Sequence, residues 1–109
     1  MLDSIFKRLR GKRILIAGFG REGQSTLRFL QKFLPNAEIG IADKNESAFK
    51  CVDKQSYTIY YGDDYLKDAS DYDIVIKTPG ISVKDIDIDK DLISSQTDLF
   101  IEAFHSQVI

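Results

Sequence analysis

Apolar residues along this chain switch between two periods. Arg13-Ile14-Leu15-Ile16-Ala17 is a short, nearly continuous apolar run, the pattern of a strand buried on both faces. After a glycine-rich stretch, Leu27, Leu30 and Leu34 recur at helical spacing with Phe33 beside them, and Pro35-Asn36 stops that helix. Ile39-Gly40-Ile41-Ala42 reads as a second strand ending at Asp43, and Asn45-Glu46-Ser47 as the start of a short helix through Cys51. Tyr57-Thr58-Ile59-Tyr60 is β-branched and aromatic, a third strand closed by Gly62-Asp63. Asp64 to Ala69 reads as a short helix, and Asp73-Ile74-Val75-Ile76-Lys77 as a fourth strand that Thr78-Pro79-Gly80 ends abruptly. Ahead of the first strand, Asp3 to Arg10 is a short amphipathic segment with Ile5, Phe6 and Leu9 on one side, capped by Asp3 or Ser4 and ended by Gly11.

Strands alternating with helices predict a parallel sheet with helices packed on it. Right-handed crossovers then give a doubly wound arrangement. The expected fold is therefore α/β, Rossmann-like and doubly wound, with about five parallel strands and helices on both faces. Ile86 and Ile88 alternate with aspartates in an acidic surface loop, and Leu92-Ile93-Ser94 supplies the fifth strand. Thr97 or Asp98 caps a tail helix carrying Leu99, Phe100, Ala103 and Phe104. Gln107-Val108-Ile109 turns apolar again, as the first residues of another strand would, so the chain reads as a piece cut from a longer protein.

Composition narrows the class. The 109 residues are 43% hydrophobic and 29% charged, enough for one domain with a modest core. No apolar run approaches the roughly 20 residues of a membrane span, and the N-terminus lacks the long apolar stretch of a secretory signal. A net charge of −2 with mixed signs does not suit general nucleic-acid binding. The basic cluster Lys7-Arg8, Arg10, Lys12-Arg13 reads as cations closing a helix, with an anion or nucleic-acid contact as the alternative. Neither nucleic acid nor membrane is an expected partner, and a monomer is expected. The lone Cys51 has no internal disulfide partner, which agrees with a cytoplasmic setting, and it reads as a small buried or half-buried apolar residue.

The candidate chemistry lies in the glycine-rich stretch. Gly18, Gly20 and Gly23 fit G-x-G-x-x-G between a strand and a helix. Gly18 permits the tight turn, Gly20 lets the backbone approach an anion, and Gly23 lets helix and strand pack closely. The first amides of the helix have no helical partner, and the helix dipole places about half a positive charge there, so a pyrophosphate needs no other cation. Asp43, about twenty residues downstream at the end of the second strand, completes the fingerprint. It suits a ribose diol, the N3–H of a uracil, or the cap of the following turn. Arg21 either reaches a phosphate or lies in solvent, and Glu22 must turn its carboxylate away from a bound anion. Thr78-Pro79-Gly80, after the fourth strand, is either an ordinary strand-ending turn or a second wall of the same crevice, where Thr78 would offer a hydroxyl and Gly80 an open amide. The run Asp85, Asp87, Asp89, Asp91 lacks the loop glycine and geometry of a cation site. His105 has no metal or catalytic partner in the sequence pattern, and nothing has the spacing of a zinc site or a nucleophile–base pair.

The stretches "ILIAGFGREGQST", "IADKN", "YGDDYLKDASDYDIVIKTPGIS" and "SQTDLFIEAF" together resemble the N-terminal domain of the Mur ligases, from about Lys12 to the last residue. The nearest resemblance is to the members that add D-glutamate to UDP-N-acetylmuramoyl-L-alanine. The glycine turn is common to many Rossmann-like domains, whereas its combination with "TPGI" and "TDLF" is more specific. The resemblance implies that residues 1–109 form an N-terminal domain holding the UDP part of that substrate. The backbone at Gly20, Arg21 and Glu22 would take the diphosphate; Asp43 and Lys44 would meet the uracil, with Asn45 flanking it. Thr78, Pro79 and Gly80 would close the crevice. It further implies cytoplasmic peptidoglycan synthesis. There ATP and magnesium, held by central and C-terminal domains outside this chain, activate a carboxylate as an acyl phosphate. No catalytic residue, cofactor or metal is expected within the 109 residues, and no ligation by them alone. Family members often carry a hydroxyl residue where Glu22 stands. The alternative is an NAD(H)-binding Rossmann domain of a dehydrogenase or of a transporter-regulating unit, which "GFGREG" and an acid on strand two would also suit. "KTPGI", the tail, and Lys44-Asn45 after that acid favour the ligases.

Overall fold

The computed structural model describes residues 7–96. Five strands, β1 (Arg13–Ala17), β2 (Glu38–Asp43), β3 (Thr58–Tyr61), β4 (Ile74–Lys77) and β5 (Ile93–Ser94), form one sheet in the order β3-β2-β1-β4-β5. Every pairing is parallel, with Ile14 opposite Ile39 on one side of β1 and opposite Ile74 on the other. The fold is the expected α/β, Rossmann-like arrangement. The strand order reverses beside β1: the chain leaves β1 for β2 and β3, then crosses back to place β4 on the other side.

The apolar runs of β1 and β4 are explained by burial on two faces. Ile14 and Ile16 join one core with Leu27 and Leu30 of α1 (Arg21–Phe33), Ile39, Ile41 and Phe49. Leu15 and Ala17 join the other with Ala42, Leu66, Ala69, Tyr72, Val75 and Ile86. Successive strand residues point to opposite faces, so a strand inside both cores has no room for polar alternation. β3 lies at the sheet's edge and is less buried, with Tyr61 exposed.

The crossovers are shorter than the sequence suggests. Asn45 to Cys51 contains only a 3-10 turn, Glu46–Phe49. Asp64 to Ala69, expected as a helix, is a succession of turns leading into a 3-10 turn at Ala69–Asp71. So few residues do not repay helix nucleation, and burial of Leu66 and Ala69 is achieved without it. Cys51 is exposed rather than buried, because Phe49 takes the core position of its segment. At the start, Lys7–Leu9 are helical and Leu9 is buried; residues 1–6 and the expected tail helix from Thr97 lie outside the described residues. Among the described residues, no helix is long and apolar enough to cross a membrane.

Candidate functional site

In an open parallel sheet, the loops leaving two adjacent strands diverge where the strand order reverses, and a crevice opens above their carboxyl ends. Here those strands are β1 and β4. The crevice has a volume of about 330 Å³ and is lined by residues of both loops, by the end of β2, and by the segment after β3.

One wall is the glycine turn. Gly18 has a φ of +94°, a region that disfavours L side chains, and a Cβ there would also come within 2.4 Å of the Thr78 hydroxyl. Its N–H donates to the Ala42 carbonyl at 2.7 Å. Gly23 sits directly over Gly18, where a Cβ would lie 2.1 Å from the Gly18 carbonyl oxygen. Gly20, by contrast, has no atom within 4 Å of an added Cβ and faces open space. It is the N-cap of α1 without a side-chain capping bond. The first intrahelical bond runs from the Gln24 N–H to the Gly20 carbonyl at 3.0 Å, so the amides of Arg21, Glu22 and Gly23 precede the ladder.

Asp43 forms a corner of the crevice. One carboxylate oxygen accepts from the Phe19 N–H and the other from the Asn45 N–H, both at 2.8 Å. The side chain thus caps the turn that follows β2 and also ties β2 to the loop after β1. Each oxygen keeps acceptor capacity beyond these bonds. The β4 loop approaches from the other side. The Thr78 N–H donates to Ala17 at 3.0 Å, and the Ile81 N–H closes a turn on the Thr78 carbonyl at 3.2 Å.

Of the residues singled out in the sequence, Gly18, Gly20, Arg21, Glu22, Asp43, Lys44, Thr78 and Gly80 line this crevice together. Gly23 lies beneath the turn, while Asn45 and Pro79 are exposed on flanking turns and do not line it. Among the described residues no ion pair restrains Glu22, which remains a crevice-lining carboxylate at the first turn of α1. Its place suits the helix dipole and opposes a bound anion, and the exposed Arg21 beside it lines the same crevice. Three lining residues carried no signal in the sequence reading: Phe19, Tyr65 and Ile81. Phe19 is buried, and its ring stacks on Phe49 with centroids 5.8 Å apart, which spends it on the core.

Two larger grooves flank the domain. One, about 560 Å³, lies between α1 and the β2–β3 connection; the other, about 600 Å³, lies near the amino end of β1. Neither includes the leading amides of α1, and size alone does not outweigh that convergence of donors. Among the described residues no group of three His, Cys, Asp or Glu side chains is placed to hold a metal ion. Fold and crevice together define the class: a Rossmann-like α/β domain with an open site at its topological switch point. No protein-family model, curated protein or solved structure matches the chain.

Proposed function

We propose that this chain is a UDP-binding domain that anchors the UDP moiety of UDP-N-acetylmuramoyl-L-alanine. In this reading it serves a cytoplasmic, ATP-dependent ligase of the Mur family that adds D-glutamate. The observation that carries the reading is the meeting of the unladdered amides of α1, the Asp43 corner and the Thr78–Gly80 turn around one crevice. A diphosphate fits the amide turn by charge and by hydrogen bonding. The crevice is at the small end of the roughly 300–1,000 Å³ range of ligand sites, which suits a mononucleotide better than a dinucleotide. The sequence resemblance supplies the identity of the sugar and the amino acid added. ATP, magnesium and the acyl-phosphate chemistry belong, on this reading, to further domains of the parent enzyme, and this chain contributes binding and orientation.

Calorimetric titration of the 109-residue chain with UDP and with NADH tests the reading. Saturable binding of UDP with none of NADH is expected. Binding of NADH alone would replace the proposal with the nicotinamide alternative, for which Asp43 at the end of β2 is the relevant feature.

Gly20 separates a binding role from a folding role. Gly20→Leu is expected to unfold within about 1 kcal/mol of the parent, since its surroundings are empty and the cost is an N-cap preference. The same change places a side chain at the mouth of the amide turn, and UDP affinity is expected to fall at least about tenfold. Unchanged UDP affinity would remove Gly20 from the site.

A further inference from the structure

The amide turn accounts for only one wall of the crevice. Part of the remaining lining is apolar. Tyr65 and Ile81 are both half-buried, both pack against the core that contains Leu15, Ala17, Leu66 and Val75, and both line the crevice. A site that offers both amide donors and apolar side chains matches a ligand that carries phosphate at one end and a flat, weakly polar group at the other. Two aromatic rings border the space. Phe19 is committed to its stack on Phe49, which leaves Tyr65 as the ring with free surface. Burial raises the Tyr65 phenol above its ordinary pKa, and the carboxylates of Asp85 and Asp43 add to the shift, so the side chain is neutral at physiological pH. Among the described residues its hydroxyl has no hydrogen-bond partner.

Resting on the UDP reading above, we propose that Tyr65 is the residue that takes the nucleobase, its ring stacking on the uracil while the diphosphate lies on the Gly20 turn. Asp43 and Lys44 then border the edge of the base, and Tyr65 covers its face. Asp43 does this while held by the Phe19 and Asn45 amides, so it acts as a fixed acceptor rather than a mobile one. Stacking on an aromatic ring tolerates any base. Tyr65 therefore sets how much tighter a nucleoside diphosphate binds than a bare diphosphate, and leaves the choice of base to the edge contacts.

The test compares UDP with inorganic pyrophosphate on the wild-type chain and on Tyr65→Phe, Tyr65→Leu and Tyr65→Ala. The leucine variant preserves apolar packing should the alanine variant fold poorly. The wild type is expected to bind UDP more tightly than pyrophosphate, and Tyr65→Phe is expected to match it. Tyr65→Leu and Tyr65→Ala are expected to lose about 5- to 150-fold in UDP affinity with pyrophosphate affinity unchanged. Equal losses for both ligands, or no loss for UDP, would overturn the role of Tyr65 while leaving the UDP reading in place. A wild-type chain that binds pyrophosphate no less tightly than UDP would do the same to Tyr65 and would leave the amide turn as a bare anion site. Binding of neither ligand by the wild type would bring down the UDP reading itself.

Discussion

Gly23→Ala is expected to lower the melting temperature of the domain by about 10–20 °C, corresponding to roughly 2–3 kcal/mol of overpacking in a chain of this size. The added methyl would lie 2.1 Å from the Gly18 carbonyl oxygen and 3.1 Å from its carbon, both backbone atoms. Gly18 has nowhere to retreat. Its φ of +94° is set by the turn, its N–H is bonded to Ala42 at 2.7 Å, and Thr78 presses on its other side. The helix must give instead, and lifting α1 away from β1 loosens Leu27 and Leu30 against Ile14 and Ile16. It also displaces the leading amides of α1 from the crevice. UDP affinity should therefore fall even at a temperature where the variant remains folded. Thermal unfolding followed by circular dichroism, with a UDP titration in the cold, measures both effects. The contrast with Gly20 is informative: the two glycines stand three residues apart in one fingerprint, one guarding backbone contact and the other guarding empty space. A melting temperature unchanged by Gly23→Ala would mean that helix and strand are not in the close contact described.

That difference between glycines shows which parts of the site the sequence makes legible. In G-x-G-x-x-G the spacing of the first and third glycines is local, because Gly23 answers to Gly18 five residues before it. The buried strands are legible for a similar reason: the two-sided burial of Ile14, Leu15, Ile16 and Ala17 is written in a contiguous run. What depends on distant residues is not legible. Asp43 is recognisable by its place at the end of β2, but its bond to the Phe19 amide joins residues 24 apart, and no local pattern records it. Tyr65 lies in a run of turns, so the helical spacing of its segment does not mark which side it faces. Asp64 to Ala69 has helix-like apolar spacing, yet the folded chain buries Leu66 and Ala69 through turns because the sheet face supplies the packing. The crevice was thus half written in the sequence: its polar wall follows from local spacing, and its apolar lining only from tertiary packing.

The largest expected loss of stability comes from Tyr72→Ala, about 3–5 kcal/mol. Tyr72 is only 4% exposed and lies across β2 at Gly40, where an added Cβ would meet the Tyr72 hydroxyl oxygen at 2.1 Å and Cζ at 2.6 Å. Two residues, Tyr60 and Arg13, hold the ring. Its hydroxyl shares a 2.8 Å hydrogen bond with that of Tyr60, the two rings meet edge to face at 6.1 Å, and the Arg13 guanidinium lies 5.0 Å from its centroid. The ring therefore cannot swing aside, and Gly40→Ala is expected to be destabilising as well, by about 1–3 kcal/mol. Burial, aided by the bond to Tyr60, drives the Tyr72 phenol well above its unperturbed value of 10.0, and the opposing pull of Arg13 does not offset this. The folded state favours the neutral phenol. Its contribution is therefore complete below the unfolded value of 10.0 and is lost as pH rises from there toward the higher folded value. Urea unfolding at pH 8 and above pH 10 should show this loss in the wild type and a shallower one in Tyr72→Phe, which removes the titrating group at a cost of about 1 kcal/mol for the lost hydrogen bond. Equal alkaline losses in both proteins would place the titration elsewhere. The consequence reaches the crevice through β2: Tyr72 seats on Gly40, three residues before Asp43 on the same strand, so an ill-seated ring shifts the carboxylate that anchors the loop after β1.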